Sequence, residues 1–202
     1  MIHLQGDVPH KVAVAVSGGV DSMAALDFLR RSRDVEVLHY NHGTGRYADE
    51  ATELVRNYCD SHGLFCIIGR NKDEMPPGVS AEAWWREQRY RFFQASTRRV
   101  PVITAHHLGD VVENWIFTSL HGNPFLIPRT RGPYLRPFLT TEKAAFESWC
   151  TRKQVPYVSD PSNADTKHMR NYIRHVMMPH VEKINPGIKK VIKKKLLNVK
   201  DG

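Results

Sequence analysis

The run Lys11-Val12-Ala13-Val14-Ala15-Val16, followed at once by Ser17-Gly18-Gly19-Val20-Asp21-Ser22, decides the fold. The first half is short, apolar and β-branched, the pattern of a strand buried on both faces in a parallel sheet. The second half is a turn that two adjacent glycines open. Without Cβ atoms, its backbone N–H groups can curl around an anion. Met23 to Arg31 continues with Met23, Leu26 and Leu29 at steps of three, so a helix is expected to point its N-terminus at the same place. Strand, glycine turn and helix open a βαβ unit. The turn is not GxxxxGK[ST], because no lysine closes it, so a Walker-type cradle is not expected. A plain Gly-Gly turn is the bland reading of the same residues.

Further strands are expected at Val35–Tyr40, Phe65–Ile68 and Val100–Thr104. Helices are expected at Asp49–His62, from Ala81 to about Thr97 behind a Ser80 cap, and at Asp110–Leu120. Thr141 is expected to cap a helix over Glu142–Lys153, and Met169 to about Ile184 reads as helix. Gly122–Pro137 is punctuated by glycine and proline and reads as irregular and substrate-facing. Alternation of strand and helix predicts an α/β fold: an open parallel sheet with helices on both faces, plus a helical C-terminal extension. The expected division is 1–135 for a catalytic nucleotide-binding domain and 136–202 for the extension.

In 202 residues there is room for one α/β domain with a small appendage, and 41% hydrophobic with 25% charged residues is ordinary for a globular protein. No stretch is long and apolar enough to span a membrane, and no secretory signal opens the chain. A cytoplasmic location is expected. Cys59, Cys66 and Cys150 form no CxxC pair and read as thiols in a reducing compartment. Lys+Arg of 29 against Asp+Glu of 21 leaves a charge of +8, which favours a polyanionic partner, nucleic acid first.

Several residues carry chemistry. Asp21 beside the glycine turn is a hard oxygen ligand suited to Mg²⁺. Asp110 and Glu113 are three apart on one helix face, where they can bind Mg²⁺, receive a cationic amine, or simply complement the helix dipole. His106 and His107 follow a strand and can contact phosphate or move a proton, one of the two packing against the sheet instead. Arg86 and Arg89 share a face and suit phosphate or carboxylate, whereas Arg91 points elsewhere. Arg170 and Arg174 lie one turn apart and can grip one phosphate, with Asn171 beside them. Asp160 and Asn163 flank a rigid proline turn that caps itself or faces substrate. Ile188, Val191, Ile192, Leu196 and Val199 predict an apolar stripe on a C-terminal helix. Lys189, Lys190, Lys193, Lys194, Lys195 and Lys200 turn toward solvent or RNA phosphates.

The turn resembles the SGGxDS signature of PP-loop ATP pyrophosphatases. Within that class five motif groups, in order from Lys11 to Pro186, are similar to the tRNA(Ile)-lysidine synthetase family. They include His39-Tyr40-Asn41-His42-Gly43, Ala83 to Phe92, Thr104-Ala105-His106-His107-Leu108-Gly109-Asp110-Val111-Val112-Glu113, and Arg136-Pro137-Phe138-Leu139. Together with Arg136 to Leu139, Asp160-Pro161-Ser162-Asn163 and Arg170-Asn171-Tyr172-Ile173-Arg174-His175 form the last of the five groups, the glycine turn being the first. The resemblance implies ATP and Mg²⁺, with Ser17, Gly18, Gly19, Val20, Asp21, Ser22, His42 and His107 binding nucleotide. It implies Asp21, Asp110, Glu113, His106 and Arg86 in catalysis, with Asp21 and Asp110 on metal.

Arg89, Asp160, Asn163, Arg170, Asn171 and Arg174 would face substrate, implied to be free L-lysine and a CAU-anticodon tRNA(Ile). A homodimer is left open. Longer bacterial members carry additional C-terminal domains, so a short form without them is expected. Two departures stand out. Gly109 replaces the first acid of an Asp-Asp pair, and Thr44 to Arg46 loses the leucine of the family's NHxLR stretch. A PP-loop tRNA thiolase and a catalytically weakened tRNA-binding relative are the alternatives.

Overall fold

In a computed structural model, residues 1–97, 100–161, 165–167 and 169–198 are described. The elements are β1 (Lys11–Ala15), α1 (Val20–Arg30), β2 (Asp34–Asn41), α2 (Arg46–Ser61), β3 (Cys66–Arg70) and α3 (Ala81–Ser96). They continue with β4 (Val102–Ile103), α4 (Leu108–Leu120), β5 (Thr130–Arg131), β6 (Tyr134–Leu135) and α5 (Lys143–Lys153). The chain then forms α6 (Met169–Tyr172), a π-helical turn (Ile173–Met177), α7 (Met178–Ile184) and α8 (Ile188–Asn198).

The strand order is β3-β2-β1-β4-β6-β5. The first five are parallel and only β5 runs against its neighbour. β1 is central: it pairs with β2 on one side and β4 on the other, so the order reverses beside it. Ligands of open α/β sheets bind in the crevice at such a switch point, outside the carboxyl ends of the strands.

Side-chain alternation along β1 divides the core. Val12, Val14 and Val16 join Val35, Val37 and Ile103 under α1, α2 and α5. Ala13 and Ala15 face Phe93, Tyr90 and Phe92 of α3 on the opposite side. A further cluster forms where Leu108, Val111, Val112 and Ile116 of α4 meet Ile173, Met178, Ile188, Ile192 and Leu196.

Three expectations need correction. Gly122–Pro137 is not wholly irregular, because β6 adds a fifth parallel strand through Val102 N–H to Pro133 O (2.8 Å) and Thr104 N–H to Leu135 O (3.0 Å). Thr141 does not cap α5. It is buried, exchanges hydrogen bonds with the His3 backbone, and leaves Glu142 as the cap residue. Val191 is exposed on α8, whose buried stripe is Ile188, Ile192 and Leu196, a strict four-residue step. Val199 and Lys200 lie outside the described residues.

One buried charge fixes the helices under β1. Asp27 is 1% exposed and receives hydrogen bonds from Tyr58 Oη (2.6 Å), Arg30 Nη2 (2.6 Å), Arg31 Nε (3.0 Å) and Trp149 Nε1 (2.8 Å). These donors come from α1, from the C-cap that follows it, and from α2 and α5. Burial alone would raise the Asp27 carboxyl, but the donors outweigh it and bring it down to about 2. The folded value is depressed below an ordinary carboxyl near 3.8. This contribution, about 2 kcal/mol, is therefore full above pH 4 and disappears as pH falls toward 2.

Asp27→Asn is expected to destabilise the protein by about 3 kcal/mol in urea unfolding, because Arg30 and Arg31 lose their counter-charge. It is also expected to flatten the loss of stability in acid. A change below about 0.5 kcal/mol would show that the cluster does not hold the helices together.

Candidate active site

The carboxyl ends of β1, β2 and β4 open into a cleft of about 790 Å³. Its floor is the loop after β1. Gly18 has φ +89°, a region that favours glycine. A Cβ there would also lie 3.1 Å from Ala51 Cβ and 3.3 Å from Val158 Cγ2. Its carbonyl accepts from Val158 N–H (2.9 Å), which ties the loop to the chain after α5. Ser22 Oγ donates to Gly19 O (2.9 Å) and accepts from Ser17 N–H (3.1 Å), so this buried hydroxyl braces the loop from inside. No side chain caps α1 at Gly19, and Gly19, Val20 and Asp21 line the cleft. The helix therefore presents uncapped amides and its positive dipole end there.

The second wall depends on His39 and Asn41, whose structural roles the sequence reading did not assign. His39 is buried, with Nδ1 2.8 Å from Val16 O and Nε2 2.9 Å from Thr52 Oγ1. Burial pushes its pKa down, so the ring is neutral near pH 7. A carbonyl only accepts, so Nδ1 carries a proton; Nε2 rests against Thr52 Oγ1, whose hydroxyl also donates to Ala48 O (2.8 Å). Asn41 Nδ2 donates to Thr52 Oγ1 (2.9 Å), and Asn41 Oδ1 accepts from Gly43 N–H (2.7 Å). Together they fix the β2–α2 turn that carries His42 into the cleft. His42 is pushed down to about 4, by burial first and then by the positive charge of Arg89.

The third wall is the start of α4. His107 is its N-cap and forms a capping box with Asp110: the His107 amide donates to Asp110 Oδ2 (2.9 Å) and the Asp110 amide to His107 Nδ1 (3.4 Å). The buried imidazole stands between two carboxylates, 3.8 Å from Asp21 Oδ2 and 3.7 Å from Asp110 Oδ2. Burial raises the Asp21 carboxyl above its usual range, with His107 and Lys143 pulling against it. Burial would raise Asp110 too, but His107, His106, the His107 amide and Arg174 hold it low. His106 bonds Thr104 Oγ1 (2.8 Å) and is pushed down to about 4, chiefly by burial.

Arg174, on the π-helical turn, closes this wall. Its Nε and Nη2 grip Glu113 at 2.7 and 2.8 Å, and Nη2 lies 3.4 Å from Asp110. The acid pair thus already holds one planar cation at the edge of the cleft.

Of the residues singled out from sequence, Ser17, Gly19, Val20, Asp21, Ser22 and His42 line the cleft. So do Arg89, His106, Asp110, Asp160, Arg170 and Arg174. Gly18, His107 and Glu113 sit behind that lining and hold it in shape. Arg86 is not brought in: it is exposed on α3 with its guanidinium over the Tyr90 ring. Asn171 donates to Asp165 O (2.9 Å) away from the lining, and Asn163 lies outside the described residues. Arg174 pairs with acids, and Arg170 stands 3.8 Å from Glu82, so the two do not converge on one point as their spacing suggested.

Lys143, Glu147 and Tyr47 also line the cleft and were not singled out. Their one sequence signal is Lys143 in the first turn of a helix, where a cation opposes the dipole. No cysteine lines the cleft; Cys59 and Cys150 are buried and Cys66 half-buried, all three free. Among the described residues no cluster of three or more His, Cys, Asp or Glu side chains is placed to hold a metal. None of the described helices is long and apolar enough to cross a membrane.

A crevice at the sheet's switch point, floored by an uncapped glycine loop, is where an α/β protein receives a phosphate-bearing ligand. Residues 3–181 match the PP-loop domain, and the chain belongs to that family. Within it the chain is similar to tRNA(Ile)-lysidine synthases: that of Thermosipho africanus is 32% identical over 94% of this chain and 48% of its own length. That of Exiguobacterium sibiricum is 33% identical over 86% of this chain and 44% of its own. The chain therefore spans about half the length of the curated relatives it matches.

Two solved structures share the fold. The U34-tRNA thiolase NcsA from Methanococcus maripaludis superposes with a TM-score of 0.73 at 16% identity, covering 96% of this chain and 75% of that one. The NH3-dependent NAD synthetase from Campylobacter jejuni gives 0.51 at 14%, covering 95% and 85%.

Gly18→Ala, which forces a side chain into both a left-handed φ and a filled space, is expected to weaken ATP binding at least about tenfold, measured by calorimetry. His42 and His106 are expected to stay neutral, so neither ring resonance should titrate between about pH 6 and 8 by NMR. A midpoint above about 6 for either would contradict the burial described.

Proposed function

We propose that this chain activates O2 of the wobble cytidine in a CAU-anticodon tRNA(Ile) with ATP, and that free lysine then replaces AMP at C2 through its ε-amine to give lysidine. The observation that carries the reading is the uncapped glycine loop, which opens onto the same cleft as a carboxylate pair already clasping a cation. The cytidine oxygen attacks the α-phosphorus, the bond to the β-phosphate breaks, and pyrophosphate leaves with the bonding electron pair. The amides opening α1 stabilise that developing charge because they are aimed there before the reaction.

Asp110 and Glu113 offer the incoming amine a site of matching charge, provided Arg174 yields it. The likeness of 32–33% to lysidine synthases supports this substrate over other ATP-activated ones. In this reading 1–135 is the activating domain, and 136–202 completes the site with Lys143, Asp160, Arg170 and Arg174.

Mg²⁺ fits what is present. Asp21 Oδ1 is buried without a hydrogen-bond partner, and this ion is characteristically held by one or two carboxylates with phosphate oxygens and water. Bound there, it would neutralise charge on the departing phosphates. Asp110 faces it across the His107 ring.

The thiolase shares the fold, but sulfur transfer at this cleft would draw on a thiol, and none of the three lines it. Incubation with ATP, radiolabelled lysine and the CAU tRNA is expected to label the RNA, and Asp21→Ala to cut pyrophosphate release by about 100-fold. Unlabelled RNA beside an active relative on the same tRNA would refute the assignment.

A further inference from the structure

The loop after β1 lacks the lysine that closes a Walker-type cradle, yet pyrophosphate is the most highly charged product of the reaction proposed above. We propose that Lys143, in the first turn of α5, is the cation that contacts the departing pyrophosphate, supplied from the far end of the sequence. The inference rests on the nucleotide-activating reading of the cleft.

Four observations support it. Lys143 lines the same cleft as Gly19, Val20 and Asp21. Second, it is half-buried and forms no ion pair with any described residue, although Glu147 also faces the cleft one turn on. The other cleft cations are engaged or come from a different element. Arg174 is clasped by Glu113 and Asp110, and Arg170 stands near Glu82; Arg89 also lines the cleft, but from α3, whose Phe93 packs against Ala13 on the face of the sheet away from α1 and α5.

Third, α5 is rigidly joined to α1, the helix that opens at the loop. Phe146 and Cys150 are buried, Cys150 Sγ lies 3.7 Å from Val20 O, and Trp149 Nε1 donates to Asp27 (2.8 Å). Fourth, a cation in the first turn of α5 opposes that helix's own dipole, so it contributes nothing to the helix it sits on. As the Pα–O bond breaks, the electron pair passes to the bridging oxygen of pyrophosphate. A fixed ammonium stabilises that charge with no proton transfer.

The test measures binding of inorganic pyrophosphate and of AMP to the wild-type chain, K143M, K143R and the surface control K153M. Pyrophosphate affinity is expected to fall about tenfold or more in K143M and to recover largely in K143R, with AMP affinity unchanged in both. K153M should match the wild type. The thermal midpoint of K143M should hold or rise, since a charge opposing the dipole is removed.

A K143M protein that binds pyrophosphate as tightly as the wild type overturns the assignment while leaving the activating reading intact. Equal losses for pyrophosphate and AMP with a lowered midpoint would mark Lys143 as structural and also overturn it. A wild-type chain that binds neither pyrophosphate nor AMP removes the activating reading itself, and this inference with it.

Discussion

Gly18 holds a left-handed backbone at φ +89° while the space around its α-carbon is filled from two directions, by Ala51 of α2 and by Val158 beyond α5. Its carbonyl is bonded to Val158 N–H. The loop is therefore not a flexible ribbon that wraps a ligand when one arrives. It is a preformed turn, held by segments distant in sequence, that leads into the uncapped first turn of α1 at the cleft. Preorganisation of this kind is what makes backbone dipoles effective on a developing charge, because no reorientation remains to be done. Asp27 supports the arrangement from below by drawing α1, α2 and α5 onto one buried carboxylate. The helix that begins at the loop and the helix that carries Lys143 are consequently tied to the same side chain.

The electrostatics of the cleft follow from this packing. Asp21 and Asp110 are kept apart by a buried imidazole, and their carboxyls shift in opposite directions. Asp21 is raised chiefly by burial, with one oxygen unpartnered. Asp110 is held low by two histidines, a backbone amide and an arginine. Two carboxylates in one cleft thus suit different tasks: Asp21 is open to a hard cation, while Asp110 is committed to a standing network. Arg174 completes that network from a π-helical turn, a rare geometry often found at functional positions. At Gly109, where the family resemblance implied a second acid, a Cβ would sit 2.7 Å from His107 Cε1, so in this conformation the ring occupies that side of α4.

Much of this was legible in sequence because the signals were local. The continuous apolar, β-branched run from Lys11 to Val16 gave β1, and the glycine pair directly after it gave the turn into α1. Ser80 was correctly placed as the cap of α3, accepting from the Ala83 amide. Asp110 and Glu113 were read as sharing a face, and they do meet on one guanidinium. Failures came where local pattern and tertiary demand diverged. Two residues of β6 between Gly132, Pro133 and Pro137 are too few to show a period. Thr141 has a capping residue's chemistry but a stronger partner in the His3 backbone. Arg170 and Arg174 have the spacing of a phosphate clamp and both line the cleft, but the spacing did not show that Arg174 also pairs with Glu113 or that Arg170 stands 3.8 Å from Glu82.

The amino-acid order by itself determined the parallel α/β plan, the phosphate loop, its Asp21 and the likeness to a tRNA-modifying family. Each of these is written in residues that are neighbours or lie one helical turn apart. Only the tertiary structure decided which charges meet: that His107 separates Asp21 from Asp110, that Arg86 stays outside the lining, and that Lys143 lines the cleft from α5. The reason is physical. Periodicity encodes which face of an element is buried, but a charge in a low-dielectric cleft responds to whatever stands within a few ångströms. That neighbour is set by how the helices pack.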